Sequence, residues 1–168
     1  RNTMKFPKKQ IAIFYIEKNK GEFLTNTSSK SIELNFPKDA FAHLEIVSKQ
    51  KLTEFIQEFL KDKKIEPMQV YILLGKNSTF EKDISDISPS ERHIEIQKFL
   101  DIVPFEEILS KVFKIQKKEK IMVVNKNFCQ EIADIFNGEG FSISAITAVS
   151  ILEEAMPKLK EKFELSTL

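Results

Sequence analysis

Several residue types that mark specialised protein classes are scarce in this chain. Its 168 residues include one cysteine, Cys129, so no disulfide can form within the chain, which is typical of a reducing compartment. No apolar run reaches the length of a transmembrane helix, so we expect no membrane insertion in this segment. Because Arg1 precedes Met4, one interpretation is that the sequence is an excised part of a longer or membrane-anchored protein.

A charge excess of either sign is also missing. Lys and Arg number 26 against 25 Asp and Glu, for a net charge of +1. Nucleic-acid binders usually carry a basic excess that neutralises phosphates, so we expect no nucleic-acid partner. Lysine runs at 61–64 and 114–120 are predicted to be solvated turns, with contact to an anionic partner as the alternative.

Residue patterns of enzymes and metal proteins are absent as well. His43 and His93 have no Cys or His at metal-ligand spacing, although Asp39 lies near His43 as a candidate hydrogen-bond partner. There is no Gly-x-Ser-x-Gly, phosphate-binding glycine loop or Cys-x-x-Cys. Cys129 is predicted to be a small buried side chain, with a helix-activated thiol as the alternative. We therefore predict no catalytic, cofactor-binding or metal-binding residue, and a protein that is not an enzyme.

What is present is the composition of a globular domain, with 42% hydrophobic and 30% charged residues. Apolar periodicity predicts alternating strands and helices along the chain. The predicted strands cover residues 10–16, 22–24, 31–36, 69–74, 79–87, 108–115, 120–124 and 141–149. The predicted helices cover residues 51–63, 88–103, 127–137 and 151–163.

This element order predicts an α+β fold of two adjoining mixed β-sheets covered by helices. Residues 10–16 and 69–74 are apolar on both faces, so we expect each strand to be covered on both sides. A division near residues 75–78 gives a first lobe at 1–76 and a second lobe at 77–168.

Phenylalanine is the one abundant aromatic residue, with 15 copies and no tryptophan. Most of these side chains fall on the apolar stripe of a predicted element, so we expect them in the core. Phe41 and Phe105 lie in or beside turns. We predict that these two are exposed and contact a protein partner.

The second half has predicted strands at 70–75 and 80–84, a Val-Pro-Phe stretch at 103–105, a strand at 121–124 and a Gly140-Phe141 turn. This pattern, within residues 69–156, resembles the PilM family of actin-like type IV pilus assembly proteins. The insert of the division protein FtsA and the cytoplasmic domain of the secretion protein GspL are looser resemblances. The chain would then form half of an actin-like fold.

The first half departs from an actin-like nucleotide site. The matching hairpin at 14–21 has no Asp, has Gly21 alone, and places Tyr15 and Ile16 where phosphate needs small residues. The resemblance therefore implies a degenerate member that binds no ATP or other cofactor. It implies a scaffold at the inner, cytoplasmic face of the membrane that docks onto the cytoplasmic tail of an inner-membrane pilus protein. The alternative is a nucleotide-binding module, which requires a polar pocket around residues 15–21.

Overall fold

A computed structural model describes residues 9–152. The strands are β1 (Ile11–Glu17), β2 (Lys20–Thr25), β3 (Ile32–Asn35), β4 (Phe41–Ala42), β5 (Glu45–Ile46), β6 (Gln69–Leu74), β7 (Phe80–Asp83), β8 (Ile108–Ile115), β9 (Lys118–Asn125) and β10 (Ser142–Ala148). The helices are α1 (Lys49–Asp62), α2 (Pro89–Ile102) and α3 (Lys126–Gly138), and a short 3-10 helix spans Lys76–Ser78. The α+β class predicted from the sequence is confirmed.

The first sheet has five strands in the order β10-β6-β1-β2-β3. It is mixed, because β1 is antiparallel to β2 and parallel to β6, while β6 is parallel to β10. On one face Ala12, Phe14 and Ile16 are fully buried beneath α1 and α3. The ring of Phe14 meets that of Phe136 on α3 at 5.4 Å, edge to face. We call this sheet with α1 and α3 the first lobe.

The opposite face of the first sheet is only partly covered by the described residues. Ile13 and Leu24 are each 39% exposed and Tyr71 is 37% exposed. The expectation that residues 10–16 and 69–74 are covered on both faces is therefore not met within residues 9–152, because α1 and α3 pack on the same face. The predicted last helix at 151–163 lies outside the described residues, apart from its start at Ile151 and Leu152.

The second sheet has three strands in the order β7-β9-β8. Both pairings are antiparallel, so the second sheet is not mixed, contrary to the prediction. It packs against α2 around a small core, which consists of Ile84, Phe99, Val103, Phe105, Ile121 and Val123. We call this sheet with α2 the second lobe.

The predicted division of the chain at residue 77 needs a correction. The second lobe does begin near residue 80, but within residues 9–152 it ends at Asn125. After Asn125 the chain returns to the first lobe, where α3 joins the larger core and β10 pairs with β6. The second lobe is therefore inserted between β6 and α3. Pairing between strands far apart in sequence leaves no local pattern that reveals this return.

Asn125 joins the lobes at the start of α3. Its side-chain oxygen accepts a hydrogen bond from the Phe128 amide at 3.1 Å, which caps the helix two residues before the predicted position. Its Nδ2 donates to the Leu44 carbonyl at 2.9 Å and to Glu45 at 3.0 Å. The small β4–β5 hairpin, which the sequence did not predict, is fixed to α3 in this way.

Candidate functional site

The junction between the lobes carries the concave surfaces that could bind a partner. Besides Asn125, the Ser150 hydroxyl donates to the Glu81 carboxylate at 2.7 Å and links the end of β10 to β7. These hydrogen bonds connect residues of the two lobes. A groove and a cleft are each lined by residues of both lobes.

An apolar groove of about 280 Å³ opens between the ends of the first sheet and the face of the second. The lining from the first sheet includes Leu74, Ile146 and Ala148, and the lining from β8 and β9 includes Leu109, Phe113 and Met122. Leu109 remains 48% exposed beside this groove. Such a half-open apolar channel suits the side chains of an extended or helical peptide.

Strand β8 forms one wall of this groove and is also an edge strand. Among the described residues it pairs with β9 alone, which leaves its other edge without a neighbouring strand. The eight residues of β8 contain Lys111 and Lys114 and no acidic residue. An open edge can accept a partner strand through main-chain hydrogen bonds, and edge lysines discourage self-association.

The hairpin that stands in for an actin-like phosphate loop has a polar groove beside it. This groove, of about 280 Å³, surrounds Tyr15 and Gly21 and is lined by three carboxylates, Glu17, Glu22 and Glu33, against Lys20. The pocket that the nucleotide alternative requires is therefore present in shape. Its charge is unfavourable for phosphate, since like charges repel.

Backbone amides at this edge are occupied by the protein itself. The Lys18 amide donates to the Ser78 hydroxyl at 2.7 Å, and the Asn77 amide donates to the Glu17 carboxylate at 3.0 Å. The Tyr15 hydroxyl donates to the same carboxylate at 3.1 Å. Gly75 makes room for this arrangement, because a Cβ there would collide with the Glu17 carboxylate. The Glu17 carboxylate therefore occupies a backbone amide that would otherwise be free to bind a phosphate.

A third cavity, of about 490 Å³, is lined in part by Lys18 and Asn19 of the β1–β2 turn. We call it the basic cleft. Its rim carries Lys18, Lys38 and His43, and its floor includes Phe41, Phe80 and Phe105. Lys18, His43 and Leu44 line this cleft with φ of 55°, 52° and 64°, a backbone conformation that is costly for non-glycine residues.

The two predicted partner-contact residues meet in the basic cleft. The prediction that they are exposed is wrong, because Phe41 is 1% and Phe105 is 8% exposed. Phe41 stacks on Phe128 at 4.2 Å, and Phe105 meets Phe80 edge to face at 5.4 Å. Both are buried because each ring packs into the core of its own lobe. A role for either side chain in partner binding stays a prediction.

The remaining candidate side chains are held in structural roles or lie at the surface. Asp39 pairs with Lys51 at 3.0 Å rather than with His43, and this contact lowers the pKa of the Asp39 carboxyl. Cys129 is buried, and burial raises the pKa of its thiol to about 11, which disfavours the activated-thiol alternative. His93 is exposed on α2. Residues 9–152 contain no group of three or more His, Cys, Asp or Glu side chains placed to hold a metal ion.

Within residues 9–152, no helix is both long enough and apolar enough to cross a bilayer.

Comparison with known proteins finds similarity in structure alone. No protein family and no curated protein matches the sequence. A chain of the PilM-PilN type IV pilus biogenesis complex has a TM-score of 0.58 at 12% identity, over 92% of this chain and 52% of that chain. A Bacteroides thetaiotaomicron protein with an actin-like ATPase fold and unknown function has a TM-score of 0.51 at 12% identity, over 90% of this chain and 57% of that chain.

The cytoplasmic domain of EpsL, an inner membrane component of the type II secretion system of Vibrio cholerae, has a TM-score of 0.49 at 13% identity. That alignment covers 83% of this chain and 57% of the EpsL chain. This chain therefore spans little more than half the length of the solved structures it matches. The resemblance to the actin-like PilM proteins is confirmed at the level of the fold.

Proposed function

We propose that this chain is a non-catalytic scaffold or adaptor that docks a partner protein in a type IV pilus or type II secretion-like assembly. The observation that carries the proposal is the apolar groove between the lobes, which is bordered by the open edge of β8. A peptide bound there would place apolar side chains against Leu74, Phe113 and Met122, and could add its backbone to β8.

The structural neighbours support the assembly context. One of them comes from a complex, the PilM-PilN type IV pilus biogenesis complex. By this analogy of fold, the partner would be the cytoplasmic tail of an inner-membrane pilus protein, and the scaffold would work at the cytoplasmic face of that membrane. No nucleic acid enters this role.

The absence of catalysis is supported by the arrangement at the β1–β2 edge. An actin-like phosphate site needs free amides and small residues, whereas here the Lys18 and Asn77 amides are bonded internally. Glu17, Glu22 and Glu33 add negative charge on that side. The alternative function, nucleotide binding at this polar groove, would require Glu17 to leave its position above Gly75.

Isothermal titration calorimetry with a synthetic cytoplasmic tail tests the proposal. The probe is a peptide with the sequence of the cytoplasmic tail of the PilN-type membrane protein from the same cell. Leu109 borders the groove, whereas Val112 is 45% exposed and points to the other face of β8. Leu109→Asp should weaken binding by about tenfold or more, since it buries a charge at the contact, and Val112→Asp should leave it within about twofold.

Two results would contradict this proposal. One is a tail that does not bind the unmodified protein at all. The other is equal weakening by Leu109→Asp and Val112→Asp. Because Val112 lies on the face of β8 opposite the groove, that result would place the contact outside the groove.

A further inference from the structure

The basic cleft is a second concave surface, separate from the apolar groove. One wall consists of the β1–β2 turn and the β4–β5 hairpin of the first lobe, and the other consists of Phe80, Pro104 and Phe105 of the second. Its volume of about 490 Å³ falls within the usual range of ligand sites. It shares no lining residue with the apolar groove.

The charge of the cleft is of one sign. Lys18 and Lys38 line it, and among the described residues no Asp or Glu does. Two nearby carboxylates are engaged elsewhere: Asp39 pairs with Lys51 and Glu17 accepts from the Asn77 amide. Glu106, which follows the lining residue Phe105, is exposed. Neither Lys18 nor Lys38 has an ion-pair partner within residues 9–152. Two unneutralised ammonium groups thus stand above an aromatic floor in a chain whose net charge is only +1.

We infer that the basic cleft docks an acidic segment of a partner protein. The carboxylates of that segment would lie between Lys18 and Lys38, and an apolar side chain beside them would rest on Phe80, the partly exposed ring of the floor. Complementary charge at the rim with an apolar centre is the usual arrangement of a specific protein contact. The inference extends the docking role proposed above but depends on different residues.

A carboxylate segment fits the cleft better than a nucleotide phosphate does. Phosphate sites on this kind of edge use backbone amides, and the Lys18 and Asn77 amides are already bonded to Ser78 and Glu17. The side-chain ammonium groups are left for recognition. The paired floor rings, Phe80 and Phe105 at 5.4 Å, offer apolar contact area that a triphosphate cannot use.

Selection from a random dodecapeptide display library tests this inference. The unmodified protein is the bait, and Lys18→Glu/Lys38→Glu is the counter-selection. A matched control, Lys61→Glu/Lys63→Glu, makes the same change of net charge on exposed residues at the end of α1. We expect peptides that combine Asp or Glu with Leu or Phe. Their affinity should fall by about tenfold or more in the Lys18/Lys38 variant and in 0.5 M salt, and change little in the control.

Three results would overturn the inference: recovery of no peptide, recovery of neutral or basic peptides, or binding that survives the charge reversal at Lys18 and Lys38. Competition with inorganic phosphate and with Mg-ATP adds a further arm, since displacement by Mg-ATP at equal concentration would assign the cleft to a nucleotide instead. Failure here is distinguishable from failure of the proposed function, because tail binding that depends on Leu109 would be unaffected.

Discussion

The two lobes bury aromatic side chains on very different scales. In the first, the rings of Phe14, Phe23, Phe36 and Phe136 form a continuous set of contacts at 5.4–6.5 Å beneath two helices. In the second, one helix covers three strands over a core of six buried residues. The first lobe therefore supplies most of the hydrophobic stabilisation, while the second contributes walls to both concave surfaces at the junction.

Truncating a core phenylalanine in each lobe tests this difference most strongly. Phe14→Ala should lower the free energy of unfolding by about 4 kcal/mol, because it removes a fully buried ring and its aromatic contacts. Phe99→Ala, at a side chain that is 9% exposed, should cost about 2–3 kcal/mol. Urea unfolding followed by circular dichroism measures both. A larger loss for Phe99→Ala would reverse the assignment of stability to the first lobe.

The connection between the lobes can be broken at Asn125. Asn125→Ala removes the α3 cap and leaves the Leu44 carbonyl and Glu45 without that donor, so we expect a loss of about 2–3 kcal/mol. Asn127→Ala, two residues along the same helix, is the matched control and should cost under about 0.5 kcal/mol. Thermal unfolding measures the loss of stability in both variants. Equal losses would contradict the assignment of the α3 cap to Asn125.

A substitution at Gly75 tests the position of the Glu17 carboxylate at the edge of the first lobe. Gly75→Ala forces the Glu17 carboxylate away from the Asn77 amide, which should cost about 1–2 kcal/mol. Gly138→Ala, where a Cβ meets nothing within 4 Å, should be neutral or slightly stabilising. Chemical denaturation of the two variants measures the contrast. A neutral Gly75→Ala would mean that Glu17 moves without cost.

The smallest expected effect is an alkaline one at Cys129 in the first-lobe core. The folded pKa of about 11 lies above the unfolded value of 9.0, so the thiol favours folding below pH 9 and loses that contribution as the pH rises towards 11. Between pH 8 and 10 the stability difference between the unmodified protein and Cys129→Ala should shrink by about 1 kcal/mol. A constant difference over this range would indicate an ordinary, solvent-accessible thiol.

Local sequence pattern predicted most of the secondary structure, because periodicity and caps act over a few residues. The stripe of Leu52, Ile56 and Phe59 on α1 and the apolar run of β6 both matched the structure. The β4–β5 hairpin did not, since two-residue strands carry no period. Burial of Phe41 and Phe105 also escaped prediction, because each ring packs in its own lobe against a phenylalanine that is distant in sequence.

The candidate site was even less accessible to sequence reasoning. The apolar groove combines residues from β6, β8, β9 and β10, and the return of β10 to the first sheet is a non-local pairing. The basic cleft likewise brings Lys18 and Lys38 to Phe105 across the lobe junction. What the sequence did show directly was the residue types of the hairpin at 14–21, which has no Asp and Gly21 alone, since residue type is a local property.

The most direct test of the central claim is to measure the melting temperature of the protein with the tail peptide and, in parallel, with nucleotides. A ligand that binds only the folded state raises the melting temperature by mass action. Binding to a partner protein predicts a rise with the cytoplasmic tail peptide and no rise with Mg-ATP, Mg-ADP or Mg-GTP. A clear rise with a nucleotide and none with the peptide would contradict the scaffold role and identify the polar groove around Tyr15 and Gly21 as a nucleotide site.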